Sequence, residues 1–257
     1  MKLHVQHHGN PSNPPLALLH GWALHGDFWP ELVDELAQHY YCYNIDLPGH
    51  GQSASGTWTL TQFSQTLAQT LPPQCVVLGW SLGGIAAQHF ALNYPMHLKA
   101  LVLVASTPRF LRAPDWPHAA KHDAFDQLAS DMHQQFEKTV GDFMKLTLLS
   151  GERPKVPWRE LQRRAFQHSA PDAKSLQNGL NILAATDFRF HVERIYAPTL
   201  CLSGSHDRLT PPQASEFMAE KITKGEWVNI QGAGHAPFMS HPEAFQQALM
   251  PWLANLS

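Results

Sequence analysis

Ser81 stands in Gly79-Trp80-Ser81-Leu82-Gly83, a Gly-x-Ser-x-Gly pentapeptide. An apolar, β-rich run, Cys75-Val76-Val77-Leu78, precedes it, and the small and apolar residues from Gly84 to Leu92 read as a helix. A serine hydroxyl in water is a poor nucleophile. On a sharp strand-to-helix turn it projects above the sheet, where a base can reach it and the helix N-terminus offers backbone N–H groups. So tight a turn leaves no room for side chains at either end of the pentapeptide, which accounts for the two glycines. The pentapeptide alone recurs by chance; its strand–turn–helix setting makes it informative.

A serine nucleophile needs a base, and the base needs a group that holds its tautomer and stabilises its charged form. The chain has 17 histidines, so context must select one. His235 lies in Gly232-Ala233-Gly234-His235-Ala236-Pro237-Phe238, a glycine-marked loop after the last expected strand and before the final helix. That places it at the sheet edge expected to carry Ser81. Asp207, in Gly204-Ser205-His206-Asp207-Arg208-Leu209-Thr210-Pro211, follows the strand ending at Leu202. It falls between serine and histidine in the chain, the order expected of this architecture. A turn aspartate or a helix cap ahead of Pro211-Pro212 is the plainer reading of the same residue. Asp187 is its rival, but precedes the strand instead of following it.

Acyl transfer passes through an oxyanion that needs two donors. The backbone N–H of Leu82, next after the serine, is one candidate. The backbone N–H of Trp22, in His20-Gly21-Trp22 after the Leu16–Leu19 run, is the other; its indole can also simply pack beneath whatever covers the site. His20 is expected to be an architectural hydrogen-bonding residue. Asp46-Leu47-Pro48-Gly49-His50-Gly51-Gln52-Ser53 reads as turn chemistry. No glycine-rich stretch matches a phosphate loop or a dinucleotide fingerprint, and no cofactor or metal is expected.

These residues require a scaffold of alternating strands and helices. Apolar runs at Leu16–Leu19, Tyr41–Ile45, Cys75–Leu78, Ala100–Val104, Thr199–Leu202 and Trp227–Ile230 alternate with helical patterns over Phe28–His39, Leu60–Leu71, Ala214–Ile222 and Ala244–Leu256. Such alternation predicts an α/β fold with a mostly parallel sheet and helices on both faces. The stretch from about Pro108 to Arg194 is helical, rich in Gln, Met, Phe, Trp and His, and too long for a plain loop. It is expected to be a helical lid inserted after the strand ending near Val104, giving a core of residues 1–107 and 195–257 and a lid of 108–194. Ligands of open α/β sheets bind beyond the carboxyl ends of the strands, so core and lid should enclose a pocket.

Composition bounds the class. A chain of 257 residues, 44% hydrophobic and 15% charged, is expected to be one soluble α/β core with an insertion. The N-terminus lacks a signal-peptide core, and no apolar run approaches the roughly 20 residues a membrane span needs. A cytoplasmic monomer with neither membrane nor nucleic-acid partner is the expectation. Cys42, Cys75 and Cys201 lie singly in apolar strands and read as buried thiols. The net charge is −3, yet from Lys138 to Arg164 seven basic residues stand against three acidic ones. Such asymmetry suits a partner with an acidic surface.

Taken together, His20-Gly21-Trp22, Asp46 to Ser53, Gly79 to Gly84, Gly204-x-x-Asp207 and Gly232 to Phe238 resemble the α/β-hydrolase superfamily along essentially the whole chain. Finer wording is similar to BioH-type esterases, the pimeloyl-carrier-protein methyl ester esterases of bacterial biotin synthesis. It includes Val104-Ala105-Ser106-Thr107-Pro108, Asp115-Trp116-Pro117, Asn178-Gly179-Leu180-x-Ile182-Leu183 and Ala233 to Pro242. The resemblance implies a catalytic Ser81, His235 and Asp207, and an acyl-carrier protein bearing a methyl pimeloyl chain as substrate. It implies substrate contacts at Trp22, Ser81, Leu82 and His235 and along Phe143, Met144, Lys145, Leu146 and Thr147, some of which could equally be lid packing. It also implies carrier docking on Lys138, Lys155 and Arg159, and Arg163, four residues on, is expected to share the helical face of Arg159 and join them; Asp142 departs from the family's basic pattern. A short-chain esterase for free esters and a ligand-binding protein without turnover are the alternatives.

Overall fold

The computed structural model describes residues 1–149, 156–167 and 173–256. Among the described residues seven strands form one sheet: β1 (Val5–His8), β2 (Pro15–Leu19), β3 (Tyr41–Ile45), β4 (Cys75–Trp80), β5 (Leu98–Val104), β6 (Thr199–Gly204) and β7 (Gly225–Ile230). Their order across the sheet is β1-β3-β2-β4-β5-β6-β7. Only β1 runs antiparallel, against β3; every other pairing is parallel. The parallel strands therefore end at one common edge, which is the structural basis for gathering distant residues there.

Burial explains the strand sequences. All six residues of β4 and all six of β6 are buried, because helices cover both faces of a parallel sheet. The edge strand β1 carries no such signature: Val5-Gln6-His7-His8 is half exposed, and the hydrophobic pattern did not announce it. The helix over Phe28–His39 is shorter than its spacing implies. Gly26–Phe28 is a 3-10 turn and α1 spans Pro30–Ala37; the ring of Pro30 fixes φ and needs no N–H partner at a first helical position. Helix α2 (Leu60–Thr70) opens on a capping box, Thr59 and Gln62 each bonding the other's backbone N–H. Helix α3 (Leu82–Asn93) is apolar nearly all round and sits beneath the sheet's centre.

Between β5 and β6 the described residues form four α-helices, α4 (His122–Gln134), α5 (Phe136–Leu149), α6 (Trp158–Ala165) and α7 (Ala173–Ala185). The two ends of this insertion are clasped together. Phe188 N–H donates to the carbonyl of Pro108 at 2.8 Å, and Arg109 meets Asp187 at 2.6 Å. After β6 come α8 (Pro212–Lys221), then β7, a short helix α9 (Pro237–Ser240) and α10 (Pro242–Ala254). The three cysteines are buried and free, and burial pushes each thiol up to about 12. Among the described residues no helix is long and apolar enough to cross a membrane, and no cluster of metal-ligating side chains occurs.

Candidate active site

Ser81 occupies the junction of β4 and α3 with φ 55° and ψ −116°, a left-handed conformation that costs a non-glycine residue about 1–3 kcal/mol. Its surroundings hold it there. Ser81 N–H donates to Val104 O at 3.0 Å, extending the β4–β5 ladder into the turn, while Gly84 and Ile85 N–H both bond the Ser81 carbonyl. A Cβ at Gly79 would lie 2.5 Å from the carbonyl oxygen of Gly83, and one at Gly83 would run into the Leu19 carbonyl. Both glycines are thus required by close approach of backbone.

Two other loops meet this turn. Gly21 packs with its Cβ position 3.4 Å from Ser81 Cβ, so the His20–Trp22 loop borders the hydroxyl. The N–H of Leu82, at the first position of α3, has no intrahelical acceptor. Trp22 is buried: its indole N–H donates to Leu176 O at 2.9 Å and its ring meets Phe143 edge-on at 4.7 Å. The indole is therefore a packing surface for α5 and α7, which leaves only the backbone of this residue for oxyanion chemistry. His20 is architectural. Its Nδ1–H donates to Gly21 O (2.7 Å) and its Nε2 accepts from Leu47 N–H (2.9 Å), so the ring is neutral, and burial pulls its pKa down to about 3. His50, 5.4 Å away ring to ring, is likewise pulled down to about 3 by burial first and His20 second. Asp46 braces the same loops, accepting from Gly26 N–H and Gln52 N–H.

Asp207 and His235 are in direct contact. His235 Nδ1 lies 2.8 Å from Asp207 Oδ2 with both side chains buried. Asp207 also fulfils the plainer expectation of a turn aspartate: its Oδ1 accepts from the N–H groups of Leu209 (2.9 Å) and Thr210 (3.0 Å). The two loops are laced by His206 N–H to Ala233 O and Gly232 N–H to Ser205 Oγ. Trp80, adjacent to the serine, donates its indole N–H to His235 O at 2.8 Å, tying the histidine loop to the β4–α3 turn. Asp187 is elsewhere, held by Arg189 and Arg109. Burial would raise its carboxyl, but the two arginines outweigh that and hold it at about 2.

Sequence reasoning overlooked two contributors. Thr210 donates its hydroxyl to Asp207 Oδ2 at 2.7 Å and lies 3.3 Å from His235 Nδ1, and Trp80 grips the histidine backbone. Neither follows a motif by side-chain type. Their only local signal was adjacency to the candidate residues.

A cavity of about 270 Å³ opens in the insertion between α4 and α5, its wall including Phe110, Phe125, Leu128, Phe143, Leu146 and Leu209. Leu209 lies two residues beyond Asp207, so the cavity abuts the aspartate loop. Helical periodicity divides the segment from Phe143 to Thr147. Phe143 and Leu146 line the cavity, whereas Met144 and Thr147 are buried and are not part of its wall. Lys145 is exposed and pairs with Asp142 at 3.0 Å, which Lys138 also approaches at 3.8 Å. Lysines on both sides keep the Asp142 carboxyl below its ordinary range, Lys145 more than Lys138. Arg159 is exposed on α6, and Arg163 is chelated by Glu160. Lys155 lies outside the described residues. Lys138 lines the α4–α5 cavity, while Arg163 lines a separate groove with Asp27 and Asp34 of the core. Helix α6 is fastened to that core by Arg164, which meets Glu31 at 2.6 Å and Glu160 at 3.0 Å.

The family described as alpha/beta hydrolase fold matches residues 14–242. A protein of Xanthomonas campestris pv. campestris (strain B100) named pimeloyl-[acyl-carrier protein] methyl ester esterase is 37% identical over 257 residues, covering all of both chains. A protein of the same name from Xylella fastidiosa (strain M12) is 37% identical over 247 residues, 95% of this chain and 96% of that one. Among solved structures, a bromoperoxidase from Bacillus anthracis superposes with a TM-score of 0.90 at 22% identity, covering 98% of this chain and 95% of the other. An esterase from Exiguobacterium antarcticum superposes with a TM-score of 0.87, also at 22% identity, covering 98% and 96%. At that identity the two structures speak for the fold alone.

Proposed function

Since this chain belongs to the α/β-hydrolase family, and within it to the pimeloyl-[acyl-carrier protein] methyl ester esterases, we propose that it frees the terminal carboxyl of a methyl pimeloyl chain carried on an acyl-carrier protein, releasing methanol, in biotin synthesis. It is a serine carboxylic ester hydrolase. The observation that carries the mechanism is the buried Asp207–His235 contact at 2.8 Å, on loops tied through Trp80 to the turn bearing Ser81.

The chemistry follows from these positions. Ser81 Oγ attacks the ester carbonyl as His235 Nε2 takes its proton, and Asp207 holds Nδ1–H and stabilises the imidazolium. Backbone N–H groups of Trp22 and Leu82 receive the oxyanion, a contribution worth about 3–4 kcal/mol per donor in comparable sites. His235 then gives its proton to the departing methoxide. Water, activated by the same histidine, cleaves the acyl-enzyme to the free acid. No step calls on a metal or a cofactor.

Residues 108–194 act as a lid. Methylene groups of the chain suit the apolar wall of Phe110, Phe125, Phe143 and Leu146, each buried CH₂ contributing about 0.8 kcal/mol. Lys138, Lys155, Arg159 and Arg163 are the candidate contacts for an acidic carrier protein; Asp142 moderates the charge by engaging Lys138 and Lys145. The enzyme works as a monomer in the cytoplasm.

The direct test compares the methyl pimeloyl-carrier protein with a small free methyl ester on the purified chain. Ser81→Ala should abolish both reactions while leaving the fold intact. Arg159→Glu combined with Arg163→Glu should lower kcat/KM for the carrier-bound substrate by about tenfold or more and spare the free ester. Raising salt on the unaltered enzyme should reproduce that contrast, since exposed charges steer encounter and are screened. Equal losses on both substrates, or on neither, would dismiss the docking surface. Turnover of the free ester with none of the carrier-bound one would instead favour a short-chain esterase.

A further inference from the structure

The geometry points to Thr210 as a positioning residue that sets the plane of the Asp207 carboxylate against His235, an inference that rests on the triad reading above. Thr210 is 2% exposed. Its hydroxyl closes a triangle: Oγ1 lies 2.7 Å from Asp207 Oδ2 and 3.3 Å from His235 Nδ1, which are themselves 2.8 Å apart.

Proton inventory decides the roles. A carboxylate only accepts, so the hydroxyl and the imidazole Nδ1–H both donate to Oδ2. With its one proton committed, Thr210 Oγ1 can meet Nδ1 solely as an acceptor. Both contacts of Nδ1 in the triangle therefore require the proton on that nitrogen, which leaves Nε2 as the basic one.

Thr210 also grips the other oxygen. Its backbone N–H, with that of Leu209, donates to Oδ1. A carboxylate held at one oxygen still pivots, because its terminal torsion is broad. Held at both by one residue, it does not. Nor is that residue itself loose: Pro211 follows, and the position before a proline is confined to extended backbone. Pro211 and Pro212 then lead directly into α8. The Thr-Pro-Pro tract thus makes a rigid chelate for the aspartate, and rigidity is what a base must have to stay aimed at its nucleophile.

Thr210→Val keeps the branched shape and deletes the hydroxyl; Thr210→Ser keeps the hydroxyl and deletes a methyl. Hydrolysis of a small chromogenic ester and covalent labelling of Ser81 by a fluorophosphonate are read side by side, with thermal unfolding as the control for folding. In the valine variant, kcat and the labelling rate should each fall by about tenfold, as for loss of one hydrogen bond to a charged group. KM should stay within about twofold, because Thr210 is not placed on substrate. The serine variant should recover both rates. A valine variant labelled at the wild-type rate, or a serine variant as slow as valine, overturns the assignment. If valine does not fold, Thr210→Ala supplies the same comparison with serine. Failure of the unaltered protein to label or turn over would overturn the triad reading itself, a separate result.

Discussion

Replacing Asp207 by asparagine tests the site at its most constrained point. The carboxylate accepts four hydrogen bonds: two backbone N–H groups at Oδ1, and the Thr210 hydroxyl and His235 Nδ1 at Oδ2. Asparagine can place its oxygen at only one of these corners. Backbone N–H groups cannot reverse, so the amide oxygen must stay with Leu209 and Thr210, and the NH₂ takes the place of Oδ2. There both partners can adapt. The hydroxyl rotates to accept, and the imidazole becomes an acceptor at Nδ1 by moving its proton to Nε2. Folding should survive, at a cost of about 1–2 kcal/mol for the lost charge-assisted bonds. Catalysis should not. A proton on Nε2 removes the lone pair that must receive the serine proton, and the same tautomer error in a serine protease costs about 10⁴ in kcat, or roughly 5.5 kcal/mol of barrier. Steady-state hydrolysis of a small ester, with a denaturant melt beside it, reads both quantities. A well-folded Asp207→Asn protein retaining more than about a tenth of wild-type kcat would refute the assigned proton positions.

Two further outcomes concern stability. His20 and His50 titrate at about 3 in the fold and near 6.5 when unfolded, so below pH 6.5 the unfolded chain binds protons that the native one refuses. Stability should therefore be full above pH 6.5 and fall as pH drops toward 3, by about 2 kcal/mol for each histidine between pH 7 and pH 5; a urea midpoint flat across that range would contradict the buried, neutral pair. Gly179→Ala in α7 would bring a Cβ to 2.8 Å from Trp22 Cδ1, and the indole N–H is tethered to Leu176 O of the same helix. Overpacking of this kind costs about 1–3 kcal/mol, against a helix-propensity gain of about 1 kcal/mol. The variant should unfold at lower denaturant and lose ester turnover through displacement of the Trp22 backbone, and greater stability with full activity would show that the indole can yield.

The fold was legible because its determinants are local or periodic. A buried parallel strand must be apolar throughout, as in β4, and the turn after it requires glycine where backbones touch, as at Gly79 and Gly83. Edge strand β1 was missed because an edge needs no apolar pattern. The candidate nucleophile, base and acid were legible from chain order and from loops that follow strands, which is a consequence of parallel topology. Lid residues were less so. The resemblance over Phe143 to Thr147 leaves chain contact and lid packing both open, and a helix, turning neighbours about 100° apart, divides them: Phe143 and Leu146 line the cavity and Met144 packs in the core.

What the sequence determined alone is the set of chemical groups, their order and the sheet edge at which they emerge. What tertiary structure decided is which partners each group meets. Asp187 and Asp207 are both loop aspartates, and only packing gave one to arginines and the other to His235. Thr210 acquires its place in the same way. Hydrogen bonds act over about 3 Å, while Asp207 and His235 stand 28 positions apart in the chain, and Trp80 and His235 155. No local pattern can encode such a meeting; it exists only once the β6 and β7 loops are folded against each other.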